Sequence, residues 1–271
     1  MKVARFGENW NEGYALPDVN GEIEFATDRE PQIDSVSGVN GGFDFSGTEN
    51  YPIDPAVLQY KFTLSSSQYH NIDKLLDEMK ANTLARGRDK LWMVLRDEIT
   101  HRWAWAKCIH FDHKEKAGEG YLNVEVATRW SLSEGIWYGE PYRLHRITEP
   151  SGTGSSSFTL INAGNTPAHL RVEANGNFFN YELWNNTNGH RWKMYRATPA
   201  FDSPIVDSAA YRCVYGALSD QDGYVYLTYG TFTPQSNWMV LQPGANSMIF
   251  YYDIAGLADF VDFRWYDAYL I

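Results

Sequence analysis

A chain of 271 residues has room for two ordinary domains or one large one, and 44% hydrophobic with 15% aromatic residues supply a sizeable core. A charged fraction of 21% argues against disorder. A net charge of −11 argues against nucleic acid as a bound partner, since that affinity comes mainly from neutralising phosphates with Lys and Arg, and the sequence shows no local basic patch. The only cysteines, Cys108 and Cys213, predict folding in a reducing cytoplasm rather than a disulfide scaffold, and the N-terminus MKVARFGENW lacks the apolar run of an export signal or membrane span.

In chain order, EIEFAT (Glu22–Thr27) places Ile23 and Phe25 on one face at period two, as a strand does. Gly38, Gly41, Gly42 and Gly47 surround Val39, Phe43 and Phe45, and Asn-Gly-Gly between apolar residues signals a tight turn. VLQYKFTL (Val57–Leu64) reads as a strand. Ser65–Ala85 reads as the one helix: Ser65, Ser66 and Ser67 offer an N-cap, and Ile72, Leu75, Leu76, Met79 and Thr83 recur at helical spacing. Asp73, Asp77 and Glu78 with Lys74 and Lys80 take the wet face, and Gly87 is the stop.

Strands then resume at Lys90–Leu95, Thr100–Phe111 and Tyr121–Trp130. The middle one carries Trp103, Trp105, Lys107, Ile109 and Phe111 on one face, and the turn Lys114–Gly120 makes the last two a hairpin. Thr148–Ser157 (TEPSGTGSSS) is the one small-residue, weakly hydrophobic stretch and reads as a flexible linker. Beyond it the apolar segments are short and strand-like, punctuated by Asn175–Gly176, Asn188–Gly189 and Asp222–Gly223, which indicates an antiparallel sandwich or jelly roll. The chain is thus predicted to be mainly β, with an α+β first domain.

Candidate chemistry is sparse. Cys108, His110 and His113, with His101 nearby, are ligand types, and Cys108 and His110 would share one strand face. No fourth ligand stands at a recognisable spacing, so no metal is predicted. Asp220 and Asp222 before Gly223 resemble the start of a calcium loop without its later ligands, and a hairpin turn is preferred. GTGSSS lacks the lysine of a phosphate loop and the pattern of a nucleophile elbow. The acidic residues read as solvated surface rather than a glycosidase pair. Tyr181, Trp184, Trp192, Tyr195 and Trp238 are either core or interface anchors or, at Trp184 and Trp192, platforms for a sugar ring. No catalytic residue and no cofactor is predicted.

The order of these segments resembles the distal tail protein (Dit) family of long-tailed bacteriophages over nearly the whole chain. The likeness rests on SGVNGGFDFSG, the helix YHNIDKLLDEM, the strand KLWMVL, the hairpin, EGIWYGE (Glu134–Glu140), FTLINAGNTPAHLRVEANG (Phe158–Gly176), PGANSMIF (Pro243–Phe250) and VDFRWYDAYL (Val261–Leu270). The resemblance implies a tail-tube-like, ring-forming β-sandwich or split barrel with a flanking helix at 1–145, a linker at 146–157 and a galectin-like jelly roll at 158–271. It also implies a non-enzymatic virion tail subunit, assembled in the host cytoplasm, whose six copies form a ring. That ring would join the tail tube to the tip or baseplate hub proteins, and DNA would pass through it without specific binding. Ring or tube contacts are expected at Gly42, Phe43 and Gly47 and at Lys114, Lys116 and Glu119 of the hairpin. The rival readings are another minor tail or tube-adaptor protein, a carbohydrate-binding module and a glycoside hydrolase.

Overall fold

The fold is seen in a computed structural model, which describes residues 2–17, 22–26, 33–35, 42–44, 56–66, 71–95, 97, 99–116, 120–132, 135–148, 150–175, 178–195, 203–209, 212–216, 225–226, 238–257 and 260–270. Among the described residues strand dominates beside a single helix, so the fold is mainly β. It divides into two units, Met1–Tyr138 with Leu270–Ile271, and Gly139–Tyr269.

The first unit contains β1 (Lys2–Phe6), β2 (Tyr14–Ala15), β3 (Glu22–Ala26), β4 (Ile33–Ser35), β5 (Gly42–Asp44), β6 (Ala56–Ser65), α1 (Ile72–Asn82), β7 (Arg88–Val94), β8 (His101–Lys116), β9 (Gly120–Leu132) and the start of β10 (Ile136–Gly139). Its main sheet is antiparallel in the order β2-β1-β7-β8-β9-β6-β3. Period-two alternation builds the core. Leu58, Tyr60, Phe62 and Leu64 of β6 stand opposite Trp130, Thr128, Val126 and Val124 of β9, and all eight are buried. Trp130 is fully buried and keeps its indole N–H bonded to the Thr128 hydroxyl at 3.0 Å.

The helix covers this inner face. Ile72, Leu76 and Met79 are buried, and the Lys80 ammonium lies 5.7 Å from the Phe111 ring. The expected start at Ser65–Ser67 is corrected. Ser65 ends β6, and the cap is Asn71, whose Oδ1 accepts the Lys74 N–H at 3.0 Å. The helix ends at Asn82, where the Thr83 hydroxyl donates to the Met79 carbonyl at 2.7 Å, and Gly87 (φ +73°) turns the chain into β7.

The second unit contains β11 (Arg143–Thr148), β12 (Ser151–Asn162), β13 (Ala168–Asn175), β14 (Phe178–Asn185), β15 (His190–Tyr195), β16 (Ser203–Asp207), β17 (Arg212–Gly216), β18 (Val225–Tyr226), β19 (Val240–Leu241), β20 (Gly244–Leu257), β21 (Phe260–Trp265) and most of β22 (Ala268–Leu270). One sheet runs β11-β21-β13-β16-β17-β18 and the other β12-β20-β14-β15. They pack face to face: Phe158 and Phe250 of the second sheet lie 4.8 and 5.5 Å from Phe263 of the first. The Asn188–Gly189 turn joins β14 to β15, with Gly189 at φ +73°.

The stretch read as a linker is corrected: Ser151–Ser157 is the first half of β12, paired along its length with β20. The motif NAGNTP has a geometric reason. Asn162 is buried and donates to the carbonyls of Thr166 (2.8 Å) and Leu241 (3.2 Å), while its Oδ1 accepts from the N–H groups of Gly164 and Ala268. A Cβ on Gly164 would stand 1.8 Å from the Ala268 carbonyl oxygen, so only glycine fits.

Candidate functional site

The face of the first sheet turned away from α1 gathers charge that the sequence scatters. Alternation puts Val57, Gln59, Lys61 and Thr63 of β6 on this outer face, with Ser131, Arg129, Ala127 and Glu125 of β9 directly opposite them. From β8 and β7 come Lys107 and Arg88, which face each other across the ladder, and Lys90 opposite Trp105. The described charges here are Lys61, Arg88, Lys90, Lys107, Lys114 and Arg129 against Asp112 and Glu125, in a chain whose net charge is −11. Glu22 and Glu24 of β3 stand at register positions opposite Lys61 and Gln59.

A bulge shapes the middle of this face. The register between β8 and β9 slips between Cys108 and His110, so Ile109 is the extra residue. Cys108 stays opposite the buried Trp130 on the inner face, whereas His110 stands opposite the exposed Arg129 on the outer one. The expectation that Cys108 and His110 share a face is therefore corrected, and so is the placing of Phe111 with Trp103 and Trp105: Phe111 stands opposite buried Thr128. Ile109 is left 49% exposed among cations, and Val57 of the adjoining row is 36% exposed. Like charges directly opposite, as at Arg88 and Lys107, cost a few tenths to about 1 kcal/mol.

Toward the hairpin the face hollows into a cavity of about 400 Å³, walled by Lys61, Thr63, Asp112, Lys114 and Glu125 and floored by Ala127. Ala127 stands in register between Lys61 and Asp112, and its short side chain leaves the space. The Lys114–Glu125 pair at 3.1 Å is exposed and contributes about 0–1 kcal/mol. In the other direction Lys90 sits 4.6 Å from the Trp103 ring, and Arg88 lies 5.3 Å from that of Trp105.

The other predicted residues disperse. Burial pushes the Cys108 thiol above its ordinary range, and the thiol donates to the His110 carbonyl. His101 stacks on Trp10 with centroids 3.8 Å apart, and His110 and His113 are exposed. Among the described residues no three metal-binding side chains converge. Trp192 is 1% exposed in the core of the second unit, out of reach of a sugar ring. Trp184 is half-buried, with the Arg191 guanidinium 4.4 Å from its ring and its indole N–H donated to Glu182. Gly42 and Phe43 belong to β5, opposite Ser35 and Asp34 of β4. Lys114 lies on the outer face, and Lys116 stands at the end of β8 opposite Gly120. Gly47, Glu119, Asp220 and Asp222 lie outside the described residues. Sequence reading missed Lys61, Arg88, Lys107 and Arg129 as a group because each comes from a different strand.

No protein-family model matches the chain, and no curated protein does. Solved structures do. Two structures of the phage P2 baseplate in its activated conformation, with calcium and with strontium, align over 97% of this chain and 97% of theirs at 9% identity, with TM-scores of 0.46 and 0.45. The SPP1 Dit protein, described as a paradigm of the hub adsorption apparatus of phages infecting Gram-positive bacteria, aligns over 99% of this chain and 100% of its own at 14% identity, with a TM-score of 0.58. The resemblance read from the order of the sequence segments thus meets a structural one: from end to end, this chain has the fold of a Dit protein.

Proposed function

We propose that this chain is a structural, non-enzymatic subunit of a phage tail that assembles into a ring, six copies strong, at the distal end of the tail. There it joins the tail tube to the tip or baseplate and leaves a channel for DNA. The observation that carries this reading is the end-to-end fold likeness to SPP1 Dit, which spans both units rather than one module. Assembly takes place in the host cytoplasm. The first unit is the tail-tube-like, ring-forming part, with contacts from the Gly42–Gly47 segment and the 114–120 hairpin, and the second is a galectin-like sandwich. A sheet whose outer face carries charge and exposed Ile109 also suits a subunit built to be covered by others. The acidic balance of each copy disfavours adhesion of DNA passing through the ring. No described helix is long and apolar enough to cross a membrane.

Light scattering after gel filtration, with negative-stain microscopy of the same fractions, tests the reading. The expected result is a particle of several subunits with an open centre. A monomer at every concentration would count against self-assembly.

A further inference from the structure

Both sheets of the second unit end on the same side of the sandwich. Among the described residues β11 pairs only with β21 and β12 only with β20, and His145 of β11 stacks on Phe158 of β12 at 4.4 Å. The two edges are built differently. β11 carries Arg143 and Arg146, the kind of charge by which edge strands discourage pairing. β12 is twelve residues long, holds no charged residue and no proline, and keeps an unbroken register with β20 from Thr153 to Asn162. None of the usual devices blunts this edge over that stretch. The direction of its backbone groups follows from β20. Ser247 gives its N–H to the Thr187 hydroxyl and accepts the Asn186 N–H, both on the β14 side, so it does not bond Thr159 opposite it on β12. Thr159 therefore turns its N–H and C=O to the free edge, and alternation along the strand turns Ser155, Ser157 and Ile161 the same way. The Ile161 carbonyl duly accepts the indole N–H of Trp265 from the other sheet at 3.1 Å.

We propose that the Thr153–Thr159 stretch of β12 takes an added strand from another polypeptide: an uncharged segment with an apolar residue at every second position. The outward groups of Ser155, Ser157 and Thr159 supply the ladder, and side chains on the two faces of the incoming strand supply the choice of partner. On the outer face stand the exposed hydroxyls of Thr153, Ser155, Ser157 and Thr159, which suit polar neighbours. On the inner face the half-buried rings of Phe158 and His145 lie at the open side of the sandwich, where apolar side chains of the added strand would extend the core. A second copy of β12 fits less well, since it would bring Gly154 and Ser156 to that place, and both are too small to fill it. A charged segment finds no counter-charge on β12. The edge belongs to the second unit and the ring contacts proposed above to the first, so the two readings fail separately.

The test uses the full chain and a fluorescein-labelled peptide that alternates threonine and valine over seven residues, between terminal lysines added for solubility. A control peptide is N-methylated at every residue, which removes the ladder donors and keeps the side chains. Ser157→Pro deletes an outward N–H without touching the β20 ladder, and Ser156→Lys sets a charge at the open side of the sandwich. Circular dichroism checks that each variant folds, and either one suffices if the other does not. By fluorescence anisotropy the peptide should bind wild type, and at least tenfold more weakly to each folded variant; the control peptide should bind wild type at least tenfold more weakly. No binding to wild type at up to about 1 mM peptide, or equal binding to the variants, would overturn the proposal. So would equal binding of the control peptide, which would show apolar adsorption without a ladder. If light scattering shows that Ser157→Pro dissociates a wild-type dimer, the occupant of the edge is a second copy and the proposal falls.

Discussion

Each unit has a sheet face rich in cations, and the two are neutralised in opposite ways. On the β11-β21-β13 face of the second unit, arginines alternate with carboxylates across the ladder: Arg146, Asp262 and Glu173 share one row, and Leu144, Arg264 and Arg171 the next. Asp262 accepts from Arg146 at 2.6 and 2.8 Å and from Arg264 at 2.7 Å, while Glu173 pairs with Arg264 at 3.2 Å and Arg171 at 3.4 Å. Both carboxylates are buried beneath the guanidinium groups. On the first unit's face, Lys107 meets Arg88 with no carboxylate in that row among the described residues, and Arg129 meets His110 in a row whose far strand holds Glu24. One face sets its arginines against buried carboxylates, and the other sets two cations directly opposite each other. A cation-rich face therefore points to a partner only after its neighbours in register have been counted.

The largest effect that would break this contrast is at Asp262. Removing it by Asp262→Ala takes the shared acceptor from Arg146 and Arg264, and because both arginines are partly exposed the cost is on the order of 2 kcal/mol, below that of breaking a fully buried pair. A fall in the unit's melting midpoint on the order of 10 °C is the expected reading. A change under 2 °C would mean that the network is decorative.

Acid gives the next effect in size. Burial works against the charged form of Asp262, but the hydrogen bonds and charges of Arg146 and Arg264 outweigh it and hold its carboxyl below the ordinary range. A carboxyl with a depressed folded-state pKa contributes stability that is present above its unfolded value, about 3.9, and lost as pH falls through the folded value. Wild type should therefore lose more stability than Asp262→Asn between pH 5 and pH 2.5, by denaturant titration at each pH. Equal slopes would exclude Asp262 as a source of the acid sensitivity.

The same contrast marks what could be read from sequence. Strands β6 to β9 and the hairpins were legible because apolar side chains repeat at period two and Asn-Gly marks a turn. The helix start was missed because three serines outcompeted Asn71 as a cap on paper, although the strand before them runs on through Ser65. The stretch SGTGSSS misled because its own side chains are small. Its partner β20 supplies the bulk, and Gly154 stands opposite Tyr252, whose hydroxyl a Cβ there would approach to 3.0 Å. The basic face was invisible because its cations are spread over four strands and only register assembles them. The bulge at Ile109, which sends His110 outward while Cys108 stays in, leaves no signal in residue type at all.

The smallest prediction probes the open face directly. Arg88 packs on the Trp105 ring, so Arg88→Ala alone removes a contact as well as a charge. A double-mutant cycle with Lys107→Ala, measured by denaturant unfolding of dilute protein, isolates the pair. The coupling should be unfavourable to the native state by about 0.2–1 kcal/mol, as like charges directly opposite on a sheet are. It should shrink in 0.5 M salt, where exposed charges are screened over a few ångströms. The Asp262 network, buried beneath its own arginines, should show far less dependence on salt. A favourable Arg88–Lys107 coupling would mean that an anionic group of the same chain already sits between them, and the face would then be as self-contained as that of the second unit.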